Sequence, residues 1–163
     1  MNPSRTAAER LLLRIGSIGP LGHLPASGTV TVGVVGVPLY FVMHSWPLSI
    51  RLAVTILFTA AAVGLHEMGD RILQTKDSSR LVWDEIAGFF IAVVMLSEFT
   101  WPLAALAFFL ERALDITKVP PANWIEKHWP GGWGVVGDDV VAGLYTGAVL
   151  LALVHFAPRI VGL

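Results

Sequence analysis

Five apolar runs alternate with polar stretches along the chain, and this pattern predicts membrane-crossing helices. The runs cover residues 29–43, 52–65, 86–96, 101–110 and 140–157. None reaches the roughly 20 residues that a straight helix needs to span a hydrocarbon core. We therefore expect the helices to extend into the polar stretches. The break at 97–101, with Pro102 beyond it, predicts a tight turn between the third and fourth helices.

Charged side chains are concentrated in three stretches that five crossings would place on one side of a membrane. Twenty of the 23 Lys, Arg, Asp and Glu residues lie in 1–28, 66–85 and 111–139. Nine of the 11 basic residues are among them, as the cytoplasmic side of a membrane protein favours. The sequence thus predicts an all-α, polytopic membrane helical bundle of about five transmembrane or interface-extending helices. We expect one domain over 1–163, with a short N-terminal helix along the inner membrane surface.

Composition excludes several classes of function. A hydrophobic content of 55% is too high for an ordinary soluble domain. The net charge of -1 argues against nucleic acid as a partner, because binding to a phosphate backbone depends on an excess of basic residues. The absence of cysteine excludes disulfides, zinc–thiolate sites and thiol catalysis. The five histidines show no metal-ligand spacing.

Two acidic pairs, Asp84–Glu85 and Asp138–Asp139, each precede an apolar run and an Ala-Gly step. We expect both pairs to stand at helix N-termini, where free amide groups favour negative charge. Small residues let membrane helices approach closely, so the two helix starts are expected to be neighbours. Up to four carboxylates would then converge, and their repulsion requires a cation or protons. Oxygen ligands point to a hard ion such as Mg²⁺. The alternative is that each pair only caps its helix and faces water.

A third candidate element ends the fourth helix, where Arg112, Asp115 and Lys118 follow one another at a spacing of three. This spacing places them on one stripe of a helix. A salt-bridge ladder at the membrane edge is one interpretation. Beside an acidic metal site, however, Arg112 and Lys118 could bind an anionic phosphate, while Asp115 could hold a metal or position water.

The segment between this helix and the second acidic pair combines aromatic residues with glycines. Trp124, Trp129 and Trp133 are expected to anchor the chain at the membrane interface. The glycine-rich stretch 131–134 reads as a flexible loop rather than a phosphate-binding element. Near the first apolar run, Thr29 is expected to cap a helix.

Three motifs in order resemble the phosphatidylglycerophosphatase A family. They are Val-Trp-Asp-Glu-Ile-Ala-Gly at 82–88, Arg-Ala-Leu-Asp-Ile-Thr-Lys at 112–118, and the glycine-rich stretch that runs into Asp-Asp-Val-Val-Ala-Gly at 131–143. Their order and approximate spacing match the family across residues 19–146. The resemblance implies an all-helical protein of the bacterial inner membrane, with its active site on the cytoplasmic side. It also implies magnesium-dependent removal of the terminal phosphate from phosphatidylglycerophosphate, an anionic phospholipid, to leave phosphatidylglycerol.

The resemblance also implies which residues do the chemistry. The acidic positions of the family motifs correspond to Asp84, Glu85, Asp115, Asp138 and Asp139, and the basic ones to Arg112 and Lys118. We expect Mg²⁺ to be held by Asp84, Glu85, Asp138 and Asp139. Phosphate is expected to contact Arg112, Lys118 and Thr29. The catalytic carboxylates are expected to be Asp115, Asp84 and Asp139, with Asp115 orienting or deprotonating the attacking water. An aspartyl-phosphate intermediate is an open alternative.

Departures from the family pattern affect loops. Ser27 precedes Gly28–Thr29 where the family commonly has proline, and Val119 follows Lys118 where the family again has proline. None of these changes removes a carboxylate or a basic residue of the motifs.

Two other classes of function remain open from the sequence. Carboxylates and glycine-interrupted helices also serve small ion or proton transporters. A non-catalytic scaffold could bind anionic lipid through the basic residues. The clustering of acids at one interface favours the enzyme, because a transport pathway would place some of them near the middle of the bilayer. The sequence leaves the number of metal ions and the oligomeric state open.

Overall fold

The computed structural model describes residues 5–163, which form seven α-helices and no β-strand. The helices are α1 Ala7–Gly16, α2 Ser27–Met43, α3 Leu48–Leu73, α4 Trp83–Val93, α5 Trp101–Thr117, α6 Ala122–His128 and α7 Gly131–Phe156. Within α2, the stretch Val32–Gly36 is wound as a π-helix. The predicted all-α bundle is confirmed.

Each predicted apolar run lies mostly in a helix, although the third run continues three residues past the end of α4 and the fifth one residue past the end of α7. The helices α3 and α7 have 26 residues each and are long and apolar enough to cross a membrane. The helix α2 is a shorter apolar helix, and α4 has only 11 residues. The predicted turn after α4 is confirmed, because α4 ends at Val93 and Thr100 caps α5 by accepting a hydrogen bond from the Leu103 amide at 3.3 Å. The number of crossings stays a prediction.

The helix α7 lies at the centre of the bundle and packs on α3, α4, α5 and α6. Its closest neighbour is α4, and two glycines make this approach possible. A Cβ atom at Gly143 of α7 would collide with the carbonyl oxygen of Gly88 in α4. The predicted role of the two Ala-Gly steps is therefore confirmed: they let the helices that carry the acidic pairs pack against each other.

A methyl group at this contact should destabilise the protein. We expect Gly143→Ala to lower the free energy of unfolding by about 1–3 kcal/mol, because the backbones of α4 and α7 must separate. Gly64→Ala in α3 is the matched control, since a Cβ there meets nothing within 4 Å. That change should leave stability unchanged or raise it by up to about 1 kcal/mol. Thermal unfolding of the two variants in detergent checks the pair, and equal midpoints would contradict this account of the contact.

A buried polar network fixes the end of α4 that lies farthest from the acidic pairs. Arg51 of α3 donates hydrogen bonds from Nη1 to the Leu96 carbonyl at 2.5 Å and to the Tyr40 hydroxyl at 3.0 Å. Tyr40 of α2 in turn donates to the Val93 carbonyl at 2.5 Å. These bonds satisfy carbonyls at the helix end that would otherwise be buried without a donor. The network therefore ties α2, α3 and α4 together and sets the position of α4.

The helix α1 packs on α3, and its C-terminal end contacts the start of α4. It begins with a capping box in which the Glu9 amide donates to Thr6 Oγ1 at 3.2 Å and the Thr6 amide donates to Glu9 Oε2 at 2.7 Å. At its other end, the Ile15 carbonyl accepts a hydrogen bond from the Trp83 indole at 2.9 Å. This contact connects the amphipathic helix α1 to the helix that carries Asp84.

Candidate active site

Carboxylates from two helices meet at one end of the bundle. Oxygen atoms of Asp115 in α5 and of Asp138 and Asp139 in α7 all lie within 4.8 Å of one another. Asp138 and Asp139 are buried, and Asp115 is partly exposed. Asp84 and Glu85 stand in the first turn of α4, and Asp84 is buried. The two acidic pairs thus lie on helices that pack against each other, since a Cβ at Gly88 would lie 2.9 Å from the Asp139 carbonyl oxygen. That all four carboxylates hold one ion stays a prediction.

One buried arginine connects this cluster. Arg112 of α5 donates from Nε and Nη2 to the two carboxylate oxygens of Glu111, both at 2.7 Å. Its guanidinium also lies 3.4 Å from Asp115 and 3.3 Å from Asp139. A bidentate pair of this kind holds the planar guanidinium in a fixed orientation. Arg112 is therefore a rigid positive group in contact with two of the clustered carboxylates.

Several buried polar atoms of the site lack a hydrogen-bond partner within the described residues. They include Oδ1 of Asp84, Oε2 of Glu85 and both ring nitrogens of His66. The His66 Nε2 atom lies 3.2 Å from Asp84 Oδ1, yet the two atoms are not aligned as a hydrogen bond. Unpartnered carboxylate oxygens in a buried site are costly, and a bound cation would satisfy them.

Lys118, the residue after the end of α5, contacts the carboxylate cluster at Asp138. Its ammonium is 2.8 Å from Glu126 and 3.0 Å from Asp138. Partial burial disfavours the charge, but the hydrogen bonds to Glu126 and Asp138 outweigh it and raise the pKa of Lys118. Lys118 therefore stays protonated across the physiological range and contacts Asp138 directly. Its predicted contact with phosphate stays a prediction.

An open cavity of about 610 Å³ leads to the cluster. Among the residues predicted for the site, it is lined by Thr29, Glu85, Arg112 and Asp115. Gly28 forms part of the same wall, where a Cβ atom would collide with the Glu85 carboxylate. Thr29, Arg112 and Asp115 thus share one solvent-accessible space, whereas Asp84, Asp138, Asp139 and Lys118 do not line it.

Three local expectations from the sequence are wrong. Asp138 and Asp139 do not stand at a helix N-terminus, because α7 begins at Gly131, seven residues earlier. The glycine-rich stretch 131–134 is accordingly the first turn of a helix rather than a flexible loop. The glycines are there for packing, because a Cβ at Gly132 would collide with the Val63 carbonyl and one at Gly134 with the Trp129 carbonyl. Thr29 is not a cap, since it lies inside the helical turn Ser27–Thr31 after Ala26.

Two buried residues of the site were not singled out from the sequence. Glu111 is fully buried on α5, on the same stripe as the buried Leu103, Ala104 and Ala107. Their helical spacing was a signal that Glu111 faces the interior. His66 is fully buried on α3 and faces Asp84, in a stripe with Thr55 and Ala62. The spacing of residues along the chain does not reveal such a residue, because its partner lies on another helix.

The donor set fits a hard divalent cation. It consists of carboxylate oxygens, three of them mutually within 4.8 Å, and includes buried oxygens of Asp84 and Glu85 without a partner. Mg²⁺ prefers oxygen ligands of this kind. Two histidines offer nitrogen ligands nearby: His66 faces Asp84, and His23 lines the open cavity.

The fold and the site define a helical membrane protein with a hydrolase-like acidic centre at one end of its bundle. The chain belongs to the phosphatidylglycerophosphatase A family, whose sequence profile matches residues 14–154.

Two of three similar proteins carry the family's name. The chain is 29% identical to phosphatidylglycerophosphatase A of Escherichia coli K12 over 75% of its own length and 71% of that protein. It is 31% identical to phosphatidylglycerophosphatase A of Haemophilus influenzae over 60% of its length and 54% of that protein. A relative from Bacteroides thetaiotaomicron, provisionally named a phosphatidylinositol-3-phosphatase, is 30% identical over 80% of the chain and 82% of that protein. No solved structure matches the chain.

Proposed function

We propose that the protein is a magnesium-dependent lipid phosphatase that removes the terminal phosphate of phosphatidylglycerophosphate and leaves phosphatidylglycerol. The observation that carries this proposal is the cluster of Asp115, Asp138 and Asp139 within 4.8 Å of one another, in contact with the buried Arg112. Membership of the family supports the substrate. As a member of this family the protein is an enzyme, a phosphatase.

The residues divide between holding a metal and binding phosphate. Asp84, Glu85, Asp138 and Asp139, together with Asp115, would hold one or two Mg²⁺ ions. When bound, Mg²⁺ supplies positive charge to the phosphate oxygens and lowers the pKa of a coordinated water. Arg112, held in place by Glu111, would bind further phosphate oxygens from the wall of the open cavity. The Thr29 hydroxyl lies in the same cavity and can donate a hydrogen bond.

Asp115 is the group best placed to act on the attacking water. It belongs to the carboxylate cluster and also lines the cavity, whereas Asp138 and Asp139 are buried away from it. Asp115 would accept a proton as the water oxygen bonds to phosphorus. The bond from phosphorus to the glycerol oxygen then breaks, that oxygen takes up a proton from solvent, and Asp115 releases its proton to solvent through the open cavity. The products are inorganic phosphate and the free hydroxyl of phosphatidylglycerol.

The remaining groups act through their neighbours. Lys118 would hold Asp138 in place through the contact at 3.0 Å. His66 would position Asp84 from α3. Both are positioning residues, since neither lines the cavity.

We further propose that the chain spans the bacterial cytoplasmic membrane several times and that the site faces the cytoplasm. Nine of the 11 basic residues lie in the three charged stretches, two of which carry the site carboxylates, and this supports the orientation. The exposed Trp124, Trp129 and Trp133 around α6 and the start of α7 are suited to headgroup depth. Such an arrangement lets the acyl chains stay in the lipid while the phosphate enters the cavity.

The test is phosphate release by the purified protein in detergent. With phosphatidylglycerophosphate and Mg²⁺ we expect multiple turnovers, and with EDTA the rate should fall by at least about a hundredfold and return when Mg²⁺ is added. Phosphatidylinositol 3-phosphate serves as a second substrate, in view of the Bacteroides relative. A transporter or a lipid-binding scaffold would release no phosphate from either lipid, and that result would overturn the proposal.

A further inference from the structure

A second cavity, distinct from the one that leads to the carboxylates, is lined by basic side chains. It has a volume of about 680 Å³ and lies between α1, the end of α3 and the segment before α4. Its basic lining residues are Arg5, Arg10, Arg14, His23 and Arg80. No acidic residue lines it within the described part of the chain. Half of the chain's eight arginines therefore surround one space.

These arginines are not neutralised by ion pairs. Within residues 5–163, none of the four guanidiniums has a carboxylate within salt-bridge distance. The nearest acid along α1, Glu9, is bound in the capping box with Thr6. Among the described residues, the Arg10 guanidinium donates to the Arg5 carbonyl and the Arg5 guanidinium to the Ile72 carbonyl at 3.5 Å, with no carboxylate acceptor. Convergent positive charge without a counter-ion attracts an anion.

Apart from Ser17, the other side chains that line the cavity are apolar, which indicates an amphiphilic ligand. Leu13, Leu73 and Leu81 line it beside the arginines. On α1, Leu11 and Ile15 are 60% and 45% exposed, so this helix carries an apolar face next to its basic one. A helix of this kind lies in the headgroup region of a membrane. The expected anion is thus a phosphate of a lipid headgroup.

The two cavities adjoin, because His23 and Arg80 line both of them. Phosphatidylglycerophosphate carries two phosphates joined by a glycerol: the terminal monoester and a diester that stays on the product. We propose that the arginine-lined cavity binds this phosphodiester while the monoester occupies the cavity with Arg112 and Asp115. The inference rests on the proposed function. Such a site would make the protein prefer lipids that carry a diester next to the phosphate that is removed.

Arg14 provides the sharpest test, because it is exposed and lines only the arginine-lined cavity. Short-chain phosphatidylglycerol keeps the diester and lacks the monoester, so it is the binding probe. We expect Arg14→Gln to raise its dissociation constant by at least about tenfold, the effect of one lost contact between guanidinium and phosphate. The matched control is Lys127→Gln, which removes the same charge from an exposed position outside both cavities. Its dissociation constant should stay within about twofold of the unmodified protein.

Kinetic measurements distinguish an effect on the diester site from an effect on the proposed hydrolysis. Arg14→Gln should lower kcat/KM for short-chain phosphatidylglycerophosphate by at least about tenfold and that for short-chain phosphatidic acid, which has no diester, by less than about twofold. Unchanged binding of phosphatidylglycerol in Arg14→Gln, or an equal loss in Lys127→Gln, would overturn the diester site. If the unmodified protein releases no phosphate while the binding results hold, the proposed function is wrong and the diester site stands.

Discussion

Replacing Asp139 with asparagine should abolish phosphate release while the protein stays folded. Asp139 is buried, belongs to the cluster of three carboxylates and contacts Arg112 at 3.3 Å. Asparagine has nearly the same shape but no negative charge. The change therefore removes one metal ligand and one of the carboxylates that balance the positive charge of Arg112. We expect kcat to fall by about a thousandfold or more, equal to roughly 4 kcal/mol of transition-state stabilisation.

The control for this variant is Glu98→Gln. Glu98 is exposed in the turn before α5, far from the carboxylate cluster, and the change removes the same charge. Its rate should equal that of the unmodified protein. Size-exclusion chromatography and thermal unfolding show whether Asp139→Asn is folded. A folded Asp139→Asn protein with undiminished Mg²⁺-dependent turnover would reject the role given to this residue.

The second large effect is expected for Arg112→Lys, although this change keeps the charge. The guanidinium makes two parallel hydrogen bonds to Glu111 at 2.7 Å and at the same time reaches Asp115 and Asp139. A lysine ammonium is a point donor on a flexible stem and cannot reproduce this planar arrangement. Glu111 would be left buried without its partner. We expect kcat/KM to fall by about a hundredfold.

Arg71→Lys is the matched control for this substitution. Arg71 is exposed on α3 and pairs with Glu67 one turn earlier. The geometry of such an exposed ion pair contributes little to stability. Phosphate release by Arg71→Lys should match the unmodified protein. If Arg112→Lys retains full activity, a positive charge alone suffices at this position, and the role of the fixed guanidinium is wrong.

The helices and the meeting of the acidic pairs could be predicted from the sequence. The apolar runs indicate the helices, and the Ala-Gly steps after Asp84–Glu85 and Asp138–Asp139 indicate where two of them pack closely. This follows because membrane helices are long, regular and dependent on small residues at their contacts. The charged stretches at the ends of these helices then lie on one side of the bundle because of the order in which the chain connects the helices.

Features that depend on tertiary packing could not be predicted. Glycine is a poor helix former, so the start of α7 at Gly131 looks like a loop until the packing of Gly132 on α3 is known. The same applies to Glu111, whose burial is stabilised by Arg112, and to His66, which meets Asp84 across two helices. The arginine-lined cavity could not be predicted either, because Arg80 lies next to the arginines of α1 only in the folded chain.

The most direct test of the central claim is to locate a divalent ion in the protein. Mn²⁺ can replace Mg²⁺ at oxygen sites and gives an anomalous diffraction signal. We expect a peak about 2.0–2.6 Å from carboxylate oxygens of the proposed ligands Asp84, Glu85, Asp115, Asp138 and Asp139. A well-diffracting crystal grown with Mn²⁺ that shows no peak at these carboxylates, or a peak only elsewhere in the protein, would contradict it.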